Sequence, residues 1–246
     1  MKLSKRIYAL ADSVIDGDSI ADIGTDHGYV PMLLIKQGKS PHVIMSDISD
    51  GSLAKARETF AMCKLEDRVS ESDFRTGDGL HTIEAAEVDE LIIAGLGGHT
   101  IRSILADDER KTKSFKRLIL QPRKHSGTLR YYLYTHGWDI ESERLAEEGK
   151  FACEIITAVP SEETIREAVY PEDDIRWKYP EGIIYADPGL ALNRIRWKIS
   201  SLEEQEANLS TAEGEHKDIL KKIREDHDYL INLEEKAVNE LKTFLT

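Results

Sequence analysis

Four short stretches place chemically capable residues where strands end. The first is Asp22-Ile23-Gly24-Thr25-Asp26-His27-Gly28, a D-x-G-x-x-x-G pattern. Gly24 permits a tight turn from strand into helix, and Gly28 lets a ligand or the next helix come close. A dinucleotide-binding loop would carry G-x-G-x-x-G, with its amides aimed at a pyrophosphate. Here a carboxylate precedes the first glycine and Asp26 lies inside the loop. Carboxylates repel phosphate but suit an ammonium group, so a methionine-type ligand, S-adenosyl-L-methionine, fits better than NAD. The bland alternative is an ordinary glycine-rich turn. The second stretch is Asp47, 23 residues after Gly24. That is about the interval at which an acid reaches a ribose diol. A solvated strand end or a helix cap is the alternative, and Asp50 is the better cap candidate because it directly precedes the next helix.

The third stretch, Gly77-Asp78-Gly79-Leu80, puts an acid between glycines. Such an acid can accept from an adenine amino group while a neighbouring amide faces a ring nitrogen; the alternative is a plain turn. The fourth is Ala94-Gly95-Leu96-Gly97-Gly98-His99. In class I methyltransferases this loop touches the transferable methyl group and the acceptor. It lacks the N/D-P-P-Y of enzymes that methylate exocyclic amines. Its glycines leave amides open and build no side-chain wall, which suits a bulky planar acceptor. His99 could act as a base, but histidine at a helix start is more often a cap or a surface residue. Tyr29, next to Gly28, could stack on a base or close over the methyl donor, with helix packing as its alternative.

These stretches need a sheet to position them. The pattern predicts helices over 3–14, 29–37, 50–62, 100–107 and 126–136, and strands over 19–24, 42–47, 69–74, 91–94 and 117–120. Strands alternating with helices at this spacing form a parallel sheet whose ligands bind at the carboxyl ends of the strands. Runs 138–143 and 153–159 follow without a helix between them, so the sheet ends in an antiparallel hairpin turning at Glu147-Glu148-Gly149-Lys150. Pro171, Pro180 and Pro188, with Gly182 and Gly189, mark 161–189 as a connecting segment. Leu192, Ile195, Ile199, Leu202 and Leu209, then Leu220, Ile223, Leu230, Ala237, Leu241 and Phe244, are spaced for two heptad-like helices hinged near Gly214. The expected organisation is an α/β Rossmann-like catalytic domain over 1–160, a connector over 161–189 and a coiled-coil helical hairpin over 190–246. Tyr131, Tyr132 and Tyr134 are expected in the core, and Trp177 and Trp197 against the connector and hairpin.

The 246 residues carry a formal charge of −13. No run approaches the roughly 18 apolar residues of a membrane span. Asp12, Asp16 and Asp18 break the N-terminal apolar stretch, which argues against a secretory signal. Cys63 and Cys153 stand far apart with no C-x-x-C, so neither a metal module nor a disulfide scaffold is expected. The expectation is a cytoplasmic protein without membrane or metal partners. Its acidity argues against nucleic-acid binding over the whole surface but leaves room for a local patch. Residues 102–130 hold nine cations against three anions, a local +6, and Arg102, Arg123 and Lys124 are the candidates there for a polyanion. A solvated helix face is the alternative.

The stretch Asp22 to Pro31, with Asp47-Ile48, Gly77-Asp78-Gly79-Leu80, Ala94-Gly95-Leu96-Gly97-Gly98 and Gln121-Pro122, resembles the bacterial tRNA adenine-22 N1-methyltransferases, the TrmK family. Leu96 stands where methionine is more usual. The resemblance spans nearly the whole chain. It implies a class I methyltransferase fold, S-adenosyl-L-methionine as methyl donor, and N1 of an adenine in the D-loop region of tRNA as acceptor. On that reading Asp22, Gly24, Thr25, Asp26, His27, Gly28, Asp47, Ile48, Gly77, Asp78, Gly79, Leu80, Ala94, Gly95 and Gly97 hold the cofactor. Gly98, Arg102, Arg123 and Lys124 face the tRNA, and Tyr29 and Asp26 position the reacting groups. Lys217, Lys221, Lys222 and Arg224 on the hairpin form a second candidate tRNA contact. The rival readings are a methyltransferase for a small molecule or protein, and a noncatalytic binding protein of the same fold.

Overall fold

The computed structural model describes residues 2–149, 151–163, 165–211 and 216–245. Strands β1 (Ile20–Ile23), β2 (Val43–Asp47), β3 (Phe74–Thr76), β4 (Glu90–Leu96), β5 (Arg117–Pro122), β6 (Trp138–Glu148) and β7 (Phe151–Pro160) form one sheet in the order 3-2-1-4-5-7-6. The first five strands pair in parallel; β7 runs antiparallel to both β5 and β6. The inner strands are apolar on both faces because helices cover both. Ile20, Val43, Met45, Ile92 and Ile119 pack with helices α1 (Lys5–Ser13), α2 (Tyr29–Gln37) and α3 (Asp50–Met62). Ala21, Ile23, Ile44, Leu91, Ile93, Leu118 and Leu120 pack with α4 (Gly98–Asp107) and α6 (Ser126–Thr135) on the other face. A single turn, α5 (Glu109–Thr112), follows α4.

Several expectations change. Strand β3 begins where the expected strand was to end. Residues 66–68 and 71–73 are instead short 3-10 turns, the second held where Asp73 accepts the Ser70 amide at 2.7 Å. Asp50 does not cap α3. Ser49 does, its hydroxyl accepting from the Ser52 amide, which leaves Asp50 in the first turn. The connector is more than a link: α7 (Ile175–Lys178) and α8 (Ile183–Ala186) bury Ile175, Tyr179, Ile183 and Ile184 in the same core as the C-terminal helices. Those helices, α9 (Pro188–Thr211) and α10 (Lys217–Leu245), form the expected pair around Leu192, Ile195, Ile199, Leu202, Ile223 and Leu230. Leu233 joins this core although the pattern passed over it, and Phe244 is exposed. Trp197, expected to pack, is 66% exposed, whereas Trp177 packs on Tyr170 of the connector as expected and also meets Tyr131 and Tyr134 of α6. Tyr132 is buried as expected, whereas Tyr131 and Tyr134 are half-buried. The hinge at Gly214 and the turn residue Lys150 lie outside the described residues.

Buried charge joins hairpin and sheet. Arg130, almost fully buried on α6, donates to Glu143 of β6 at 2.7 Å, to the Trp177 carbonyl at 3.0 Å, and to Glu154 of β7. Arg194 of α9 pairs with the same Glu154, and the Ser126 hydroxyl donates to it at 3.0 Å. The two guanidinium groups hold the Glu154 carboxyl below the usual range in spite of its burial.

Candidate active site

The carboxyl ends of β1, β2, β3 and β4 converge on one edge, and each sequence stretch falls there. After β1 the chain turns at Gly24, φ +78°. The amides of Gly24 and Thr25 both donate to the Ser46 carbonyl, at 2.8 and 3.0 Å, tying this loop to β2. Asp22 is buried at the end of β1, and its carboxylate accepts from the Thr25 hydroxyl at 2.6 Å. Burial pushes this carboxyl up to about 6; the Thr25 bond and Arg6 oppose the shift, and the nearby Asp47 adds to it.

Gly28 adopts φ +62°, and a Cβ there would lie 3.0 Å from the Ala56 Cβ and 3.4 Å from the Met45 sulfur. The close approach that the geometry displays is that of α3, not of the helix that directly follows Gly28. Asp26 already has a protein partner: it accepts from Lys55 at 2.7 Å, which holds its carboxyl below the usual range, and the His27 ring lies 3.3 Å away. His27 stacks on Tyr29 with centroids 5.0 Å apart and planes 5° from parallel.

At the end of β2, Asp47 accepts the Ser49 amide through one oxygen at 2.8 Å, so part of its capacity goes to the strand-end role. Beside it Ile48 is 75% exposed. After β3 the Gly77 amide donates to the Asp47 carbonyl at 3.0 Å. Asp78 is exposed and makes no side-chain hydrogen bond among the described residues. Gly79 takes φ +51°, and Leu80 is buried beneath this loop. The edge therefore offers a buried carboxyl, two acids with free oxygens, an exposed apolar side chain and open glycine backbone. That set fits the ammonium, ribose diol and adenine of S-adenosyl-L-methionine.

At the end of β4 the pairing with β5 shifts between Ala94 and Leu96. Gly95, φ +79°, donates its amide to Gln121 Oε1 at 3.2 Å, and Arg6 reaches the same oxygen at 3.3 Å. The Arg123 amide donates to the Leu96 carbonyl at 2.7 Å, and the Gly98 amide to the Lys124 carbonyl at 2.8 Å. Gly97 caps α4 and Gly98 opens it. His125 lies at this edge beside Arg123 and Lys124, as its place after β5 suggests; Arg6 also reaches it although the motif reading gave it no role, since nothing in local spacing marks a first-turn residue of α1 that meets Gln121.

The charge count over 102–130 does not correspond to one surface. Arg130 is buried, Lys116 binds Asp89 and Arg117 binds Glu141 and Glu90 at the opposite edge, and Arg102 pairs with Glu172 at 2.9 Å. Arg123 and Lys124 are exposed at the ligand edge. On the hairpin, Lys221, Lys222 and Arg224 face Glu225, Asp226 and Glu206, so that cluster is largely neutralised. Among the described residues, no helix is long and apolar enough to cross a membrane, and no three His, Cys, Asp or Glu side chains are grouped to hold a metal ion.

Strand order, the reversed β7 and the acid at the end of each of the first three strands define a class I methyltransferase. The methyltransferase-domain family model matches residues 3–156. The tRNA (adenine(22)-N(1))-methyltransferase of Bacillus subtilis (strain 168) is 34% identical over 170 residues, 69% of this chain and 69% of its own length. The crystal structure of the B. subtilis m1A22 tRNA methyltransferase TrmK superimposes with a TM-score of 0.76 at 27% identity, covering 95% of this chain and 99% of that one. A Streptococcus pneumoniae protein solved in complex with S-adenosyl-L-methionine shares the fold with a TM-score of 0.75 at 24% identity, over 92% of this chain and 100% of its own. The chain belongs to the tRNA (adenine(22)-N(1))-methyltransferase family.

Proposed function

We infer that this chain transfers a methyl group from S-adenosyl-L-methionine to N1 of adenine 22 in tRNA, in the cytoplasm. The observation that carries the reading is the acid-and-glycine edge, Asp22 through Gly98, lying wholly within the residues that the methyltransferase family model matches. Residues 1–160 are the catalytic domain, 161–189 connect it to the C-terminal helices, and α9 and α10 pair as a helical unit tied to the sheet through Arg194 and Glu154.

When bound, the cofactor supplies a methyl group already activated by its sulfonium. The protein's task is alignment. Asp22 offers its carboxyl to the ammonium end, within the turn from Gly24 through Thr25, Asp26 and His27 to Gly28. Asp47 accepts from the ribose hydroxyls, Ile48 covers the adenine, and Asp78 accepts from its amino group beside the backbone of Gly77, Gly79 and Leu80. Ala94, Gly95 and Gly97 leave room for the reacting groups. Adenine N1 attacks with its own lone pair, so no general base is required, and a proton at N6 can leave afterwards. The acceptor base must be unstacked to present its Watson–Crick edge. Tyr29 stands at the mouth of the donor loop to position it. Arg123 and Lys124, with Gly98 at the α4 start, face the RNA backbone; Arg102 joins them by exchanging Glu172 for phosphate.

The test is transfer of tritiated methyl from the donor to unmodified tRNA, followed by nucleoside analysis. The expected product is 1-methyladenosine at position 22. Methyl on another nucleotide, or transfer only to small molecules or protein, overturns the reading.

A further inference from the structure

The end of β4 and the loop after β5 are latched together by two backbone hydrogen bonds, from the Arg123 amide to the Leu96 carbonyl and from the Gly98 amide to the Lys124 carbonyl. The approach is so close that a Cβ on Gly98 would lie 2.2 Å from the His125 carbonyl oxygen. His125 itself sits at φ +59°, ψ +39°, in the left-handed region that glycine occupies without strain and histidine does not. The latch brings the His125 ring to the His99 ring from the first turn of α4, with centroids 4.3 Å apart and planes tilted by 42°. Both residues are exposed, and neither imidazole makes a hydrogen bond or ion pair among the described residues. The backbone alone would be served better by glycine at 125. What histidine adds is an aromatic ring, delivered to the acceptor side of the edge.

We propose that the His99–His125 ring pair is a stacking platform for the unstacked acceptor adenine. The inference rests on the reading that the acceptor is a tRNA adenine. An aromatic face stacks on a base regardless of sequence, and the adjacent Arg123 and Lys124 supply cations for the flanking phosphates. Attack by N1 needs no deprotonation, so the rings act by contact and not by proton transfer.

Three variants test this: His125→Gly, which relieves the backbone while removing the ring, His99→Ala and His99→Phe. Each is assayed for kcat and KM on unmodified tRNA, with cofactor affinity measured by calorimetry. His125→Gly and His99→Ala should lose roughly tenfold or more in kcat/KM, the scale of one base–aromatic stack. Cofactor affinity should be unchanged, and His99→Phe should retain most of the activity. Full activity in His125→Gly, a His99→Phe as damaged as His99→Ala, or a parallel fall in cofactor affinity overturns the platform. An active wild type with unimpaired variants defeats the platform alone. A wild type that puts no methyl on tRNA adenine defeats the proposed function, and the platform with it.

Discussion

The two edges of the sheet use the same residue types to opposite ends. Where the parallel strands begin, Asp89 accepts from the Ser19 amide and hydroxyl at 2.8 and 2.7 Å and pairs with Lys116 at 2.6 Å. Lys116, then the Ser19 donors, hold this carboxyl down at about 2. Where the strands finish, Asp22 has one hydroxyl partner and is pushed up to about 6 by burial, Asp47 gives one oxygen to a backbone amide, and Asp78 has no side-chain bond among the described residues. One edge spends its acids on the fold. The other keeps acceptor capacity open for a molecule that brings the donors. Glu90 is the exception at the closed edge: it accepts the Ile15 amide, but its second oxygen has no hydrogen-bond partner among the described residues, and burial pushes it up to about 7.

Four measurements can break or refine this contrast. Asp47→Ala should weaken cofactor binding by roughly 1.5–3 kcal/mol, the scale of a charge-assisted hydrogen bond, with a smaller loss of stability from its bond to the Ser49 amide. Unchanged affinity in calorimetry would remove Asp47 from the ligand edge. Asp89→Ala should do the reverse, lowering stability at pH 7 while leaving cofactor affinity intact. Its folded pKa is depressed, so that stabilisation is present above about pH 4 and is lost as pH falls through about 2. Denaturant titrations across this range would show it, and a loss of affinity with stability kept would reverse the assignment of the edges.

Asp22 predicts a pH dependence of binding. Its folded pKa is raised to about 6, so affinity for a cationic ligand should climb by up to about tenfold per pH unit below 6 and level off above. The same shift makes the empty protein less stable between about pH 4 and 6 as pH rises, because the native state holds this proton more tightly than the unfolded chain. Asp22→Asn should flatten both profiles; an unchanged slope in the variant would place the titrating group elsewhere. Asp78→Ala should have the smallest effect, about 1 kcal/mol of affinity or less, since backbone still faces the adenine. A loss greater than that of Asp47→Ala would invert the ranking within the open edge.

Much of the fold was legible in the residues. The bounds of α2 and α3 follow from apolar spacing and flanking punctuation, with Gly38 ending α2 in a left-handed turn. The reversed hairpin follows from two strand-like runs with no helix between them. Strand β3 was misplaced because Val69 to Phe74 looks strand-like, while turn bonds such as Asp73 to the Ser70 amide win locally. The cap of α3 was misassigned because Asp47 reaches forward to hold the Ser49 amide, a tie that no one-residue preference reveals. The basic stretch failed as a surface because a charge count along the chain ignores direction: Arg130 points into the core, and Lys116 lies at the far edge. His125 was legible only by its place after strand five beside Arg123 and Lys124; its left-handed backbone and its contact with His99 are not.

Glu154, held between Arg130 and Arg194, has an evolutionary consequence. The sequence pattern suggests boundaries near residues 160 and 189. The charge network crosses both, since the carboxylate on β7 relies on a guanidinium from α9. Removing one partner of a buried ion pair costs roughly 3–5 kcal/mol when it leaves the charge alone, and here Arg130 still faces Glu154, so the loss of Arg194 costs less. Gene rearrangements that graft other C-terminal helices onto the catalytic domain therefore keep this network whole only when they bring a cation to the place of Arg194.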